Sequence, residues 1–157
     1  MVEERLGSGP HLSVAFLCEK VLIERDGVFS IIRVVDRFTI PVFGVVPPGV
    51  QIPPPVIQAA MVVGLKAGSV ATGQYNVRIR GIKPDGGQFL ETNAQMFFPG
   101  GEDAGVLAPI PVVISNPEQG LYWFDVYFEE ALLTRIPMRV LHQVAVLPPI
   151  PSQPTEQ

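Results

Sequence analysis

Gly120-Leu121-Tyr122-Trp123-Phe124-Asp125-Val126-Tyr127-Phe128 decides how this chain is read. Tyr122, Phe124, Val126 and Phe128 fall on one parity, and Leu121, Trp123, Asp125 and Tyr127 on the other. A repeat of two is the period of a strand, whose successive side chains point to opposite faces. After Glu129-Glu130-Ala131 the pattern resumes: Leu132, Ile136, Met138 and Val140 alternate with Leu133, Arg135 and Arg139. The two runs read as an antiparallel hairpin. Pro137 sits on the outward set, which places this strand at an edge or at a bulge, because proline donates no ladder hydrogen bond.

The same period recurs upstream. Tyr75, Val77 and Ile79 alternate with Asn76, Arg78 and Arg80; Pro84-Asp85-Gly86-Gly87 is a turn; Leu90 to Phe98 returns as the partner strand. In the N-terminal third, Leu12, Val14, Phe16 and Cys18 share one parity and Val21 and Ile23 the other, so a bulge is expected near Glu19-Lys20. Asp26-Gly27 marks a turn, with Phe29 to Ile40 as one returning strand. Ile57, Ala59, Met61, Val63 and Leu65 form a further strand. Val106, Ala108, Ile110, Val112 and Ile114 form another, at an edge because Pro109 and Pro111 share its outward parity. No segment has the period of an amphipathic helix. The reading is an all-β, single-domain antiparallel β-sandwich, immunoglobulin-like, of about seven or eight strands, with a closed barrel as the alternative. The domain spans 1–147, and the proline-rich 148–157 is an extended or disordered tail.

Certain residues resemble a known family. Val14-Ala15-Phe16-Leu17-Cys18-Glu19-Lys20-Val21, then Gly27-Val28-Phe29-Ser30-Ile31 and Arg37, are similar to the opening of an uncharacterised bacterial family of small proteins, labelled only as a domain of unknown function. Gly120-x-Tyr122-x-Phe124-x-Val126 followed by Ile136-Pro137-x-Arg139-Val140 resembles its close, and also the closing hairpin of immunoglobulin-like sandwiches. The resemblance covers the first 40 and last 35 residues or so. It implies a fold and no activity.

Composition narrows the chemistry. The 157 residues are 47% hydrophobic and only 17% charged, which excludes wholesale disorder. A net charge of −4 argues against nucleic acid as a partner. Residues 38–65 carry no formal charge, yet Pro41, Pro47, Pro48, Pro53, Pro54 and Pro55 forbid a membrane-spanning helix there. The opening MVEERLGSGPHL lacks an apolar leader, and Cys18 is the single cysteine, so a cytoplasmic location is expected.

No catalytic, metal or cofactor site is expected. His11 and His142 lie near the chain ends, Cys18 reads as a buried small hydrophobe, and no metal-ligand spacing or G-x-S-x-G elbow occurs. Gly7-Ser8-Gly9-Pro10 precedes a strand rather than a helix and is not a phosphate loop. Glu102-Asp103 offers too few oxygens for Ca²⁺. Arg78, Arg80 and Lys83 read as a solvated sheet face. The expected role is a protein-interaction or self-associating module, with a protein partner or a homo-oligomer, because uncharged apolar loops leave an exposed patch. The interface residues are Val42, Phe43, Val45, Val46, Ile52 and Trp123. The alternative is a small-ligand or carbohydrate-binding sandwich using Trp123 and Tyr127.

Overall fold

The structure is a computed structural model that describes residues 9–147. Among them nine strands follow one another: β1 (His11–Ile23), β2 (Phe29–Val35), β3 (Arg37–Phe43), β4 (Val56–Lys66), β5 (Gly73–Ile82), β6 (Gln88–Phe98), β7 (Gly105–Ser115), β8 (Gly120–Phe128) and β9 (Ala131–Ala145). They form a four-stranded sheet in the order β2-β1-β4-β7 and a five-stranded sheet in the order β3-β9-β8-β5-β6. The expected all-β sandwich is therefore present, with nine strands instead of seven or eight. The proposed tail, 148–157, and Gly7-Ser8 lie outside the described residues.

Alternation builds the core. Ile57, Met61, Val63 and Leu65 from β4 and Val112 from β7 meet Val77, Ile79, Phe98, Tyr122, Phe124, Val126, Met138 and Val140 from the opposing sheet. Phe98, Phe128 and Tyr75 stack at one end of this layer, and Phe89 lies edge-on to Tyr122 and Phe124 at the other. Such offset and edge-to-face contacts suit the ring quadrupoles. At the start of β8 the Tyr122 hydroxyl accepts the Glu118 amide hydrogen at 2.8 Å. β-Sandwich domains pin the corner before a strand in this way.

The structure corrects the strand reading in four places. Phe29 to Ile40 is not one strand: the chain bends at Asp36 and crosses to the other sheet, where β3 runs parallel to β9. The sandwich is thus antiparallel except for that pair. The bulge expected near Glu19-Lys20 is absent from the β1–β2 register, which runs unshifted from Leu17↔Val35 to Ile23↔Phe29. What breaks the parity there is Arg33, opposite Glu19, whose φ of 49° twists the hairpin. The bulge in β1 lies between Leu12 and Val14 instead. It fits over Gly64, where a Cβ would stand 2.8 Å from both the Ser13 Oγ and a Val14 methyl. Leu132 is outward, not inward, because β9 carries one extra residue against β8 between Thr134 and Leu132.

The prolines behave as read. β7 is an edge strand, with Pro109 and Pro111 paired to Val62 and Ala60. β9 is an interior strand, but β3 covers it only from Arg139 onward, so the strand is locally an edge at Pro137. Substituting Tyr122→Phe should keep the fold and remove the acceptor of the part-buried hydrogen bond from the Glu118 amide. The expected loss is about 0.5–1.5 kcal/mol in urea-unfolding stability.

Candidate interaction surfaces

The centre of the outward face of the five-stranded sheet is a polar network. A row crosses four strands: Glu91, Arg80, Asp125 and Arg135 stand side by side in register. Asp125 is fully buried although it lies on the outward parity. Its carboxylate accepts hydrogen bonds from Arg135 Nε at 2.6 Å and from Arg80 Nη2 at 2.9 Å. Those two guanidinium groups, Arg135 foremost, hold its carboxyl below the usual range, although burial opposes them. Arg80 also donates to the Tyr127 hydroxyl at 2.8 Å, and Arg78 lies 4.6 Å from the centre of the Tyr127 ring. Arg135 covers Trp123, 5.5 Å from its ring centre. The stripe of Arg78 and Arg80 that reads as solvated in the sequence is therefore interlocked with carboxylates and aromatic rings.

Trp123 is thereby separated from the other interface residues. Val42, Phe43, Val46 and Ile52 line one cavity of about 320 Å³, with Ile40, Pro41, Pro53 to Pro55, Asn116, Pro117 and His142. Trp123 sits on the opposite face of the sheet, paired with Pro137, six residues before the Gln143 that pairs with Pro41. Six extended residues span about 20 Å. Val45 is 85% exposed beside the cavity. The sequence reading missed two neighbours. Val144 pairs with Val42 in the parallel ladder and is 78% exposed, and Val146 is 91% exposed. Their signal was the apolar run Val144-Ala145-Val146-Leu147, which continues the strand pattern past the end of the core. His142 is held at this corner, its Nε2 2.9 Å from the Pro117 carbonyl.

The outward face of the four-stranded sheet is apolar. The registers place Val14, Phe16, Cys18, Lys20 and Leu22 beside Ile32 and Val34 on one side. Val62, Ala60 and Gln58 of β4, then Leu107, Pro109, Pro111 and Val113 of β7, continue the face. Its formal charges are Lys20 and, at the far end of β4, Lys66. Cys18 is buried on this face, so its thiol is pushed up, and it contacts the Lys20 carbonyl at 3.7 Å. A buried thiol of raised pKa is a poor nucleophile. Among the described residues no three His, Cys, Asp or Glu side chains gather as a metal site, and no helix is long and apolar enough to cross a membrane.

Within this sheet β1 and β4 part. Their pairing runs from His11↔Lys66 to Cys18↔Ala60 and ends there. Beyond it, β1 pairs only with β2, and Val56 to Ala59 only with β7. The parting coincides with the Glu19–Arg33 irregularity, where the two side chains form an exposed ion pair at 3.1 Å. Between the separated strands lies a cavity of about 520 Å³, lined by Lys20, Val21, Ile23, Gln58, Pro111 and Val113 among others.

Comparison with known proteins gives a family and a distant likeness. The model of a family of unknown function, DUF6941, matches residues 13–141. No curated protein matches the chain. Among solved structures, the chain is similar to the CARDB domain of a Pyrococcus furiosus protein in complex with di-metal ions. Identity is 9%, the TM-score is 0.39, and the likeness covers 82% of this chain and 88% of that one.

Asp125 gives the polar face a measurable signature. Its folded pKa is lowered, so the stability it contributes is complete above the unfolded carboxyl value, about pH 4. That contribution is lost as pH falls through the depressed folded value. Asp125→Asn should flatten the acid limb of a urea-midpoint profile below about pH 4. Near neutrality it should cost about 1–2 kcal/mol, because the two arginines it pairs with are partly exposed and solvent takes up part of their charge.

Proposed function

The chain belongs to that family of unknown function, and from this premise we propose a cytoplasmic, non-enzymatic module that works by protein contact, first of all with a second copy of itself. The observation that carries the reading is the corner where β3 and β9 end. Val42, Val45, Val46, Val144 and Val146 are all exposed there, around the cavity lined by Phe43 and Ile52. Contiguous apolar surface of this kind is uncommon on monomers and marks contact sites. Pro41 lies within β3, the edge strand at this corner. A proline there discourages indiscriminate strand pairing. The contact therefore uses side chains, with valines closing over the cavity.

A small apolar ligand is the second reading, favoured by the cavity, whose volume is at the low end for ligand sites. A sugar platform on Trp123 has less support, because the Arg135 guanidinium already lies over that ring. Sedimentation equilibrium tests the first reading. The expected result is reversible association with rising concentration, weakened about ten-fold or more by Val45→Asp or Val144→Asp with unchanged thermal unfolding. A chain that stays monomeric up to ~1 mM, the limit of weak specific association, overturns self-association.

A further inference from the structure

The parted strands of the four-stranded sheet offer a second, independent site. We propose that the opening between Glu19–Ile23 of β1 and Val56–Ala59 of β4 binds an extended segment of a partner polypeptide as an inserted strand. The segment would be apolar at alternate positions and carry an acidic residue opposite Lys20.

Both walls are main chain in strand form, and among the described residues neither has a strand on the side facing the other. Backbone amides and carbonyls there are donors and acceptors in a row, which an added strand satisfies. Neighbouring strands stand about 4.8 Å apart, so one inserted strand needs walls about 9.6 Å apart. A continuous β1–β4 pair leaves no such space, whereas here a cavity of about 520 Å³ has opened. The wall of Glu19 to Ile23 suits four to five residues of ligand, about 13–17 Å in length.

Side chains set the preference. Val21, Ile23, Ala59 and Val112, on the parity opposite Lys20, make one side of the lining apolar. The alternate residues of an inserted strand that face this lining must match it. Glu19 is committed to Arg33 at 3.1 Å, while Lys20 has no carboxylate partner among the described residues. The unbalanced charge of the opening is therefore positive, and a carboxylate on the incoming strand complements it.

The test uses the full chain and the peptide acetyl-Thr-Val-Thr-Val-Glu-Val-Thr-Val-amide, followed by amide exchange and chemical shifts in NMR. In the free, dilute protein, the amides of Val56 to Ala59 that face the opening should exchange much faster than those of Ala60 to Lys66. Peptide should slow them and shift Lys20, Val21 and Ile23. A peptide N-methylated at alternate residues keeps the side chains and removes the donors, and should bind at least ten-fold more weakly. Lys20→Glu is a surface change. It should weaken the peptide about five-fold, the upper range for an exposed ion pair, and a Lys-for-Glu peptide should restore binding. Full protection of those amides in the free monomer would overturn the proposal, as would protection that appears only with protein self-association. No response to peptide at ~1 mM, or equal binding of the N-methylated peptide, would also overturn it.

Discussion

One apolar layer, shared by two sheets, constrains everything else in this molecule. Met61, Val63 and Leu65 on one side and Phe98, Phe124, Val126 and Met138 on the other are fully or almost fully out of water. Each strand that contributes to the layer must turn every second residue toward it. The registers follow from that requirement, and so do their exceptions. Where a residue is inserted, as in β9 near Leu133, the chain absorbs the slip locally, and Met138 and Val140 still arrive inside.

Much of this was legible because the relevant rule is local. Period two identified β4, β5, β6, β7 and β8, and the outward prolines located the edge at β7. The failures were non-local. Nothing in Phe29 to Ile40 announces that Asp36 hands the chain from one sheet to the other; that is decided by β9, whose Arg139 amide bonds the Asp36 carbonyl at 2.8 Å. Likewise Asp125 looks like a solvated residue in the sequence. It is buried because Arg80 and Arg135 arrive from two other strands at the same level. The valine corner was half visible: Val42, Val45 and Val46 were read, but Val144 joins them only through a parallel pairing.

The two outward faces have opposite characters. On the five-stranded sheet, polar groups at the centre of the face answer one another across strands, while Phe97 and Leu132 are exposed toward its margins. On the four-stranded sheet, side chains are apolar and the backbone itself is left open where the hairpin twists away at Arg33. Contact potential is thus concentrated on the thinner sheet and at the β3–β9 corner, not at the aromatic residues that attract the eye in the sequence.

Pro109 and Pro111 have a further effect. They sit on the outer rim of β7, side by side with a face that is nearly free of charge. A rim that lacks two amide donors is a poor template for lateral growth of the sheet, so adhesive side chains are tolerated without fibril formation. The molecule thereby keeps a sticky surface and a blunted margin together, which favours discrete complexes over polymers.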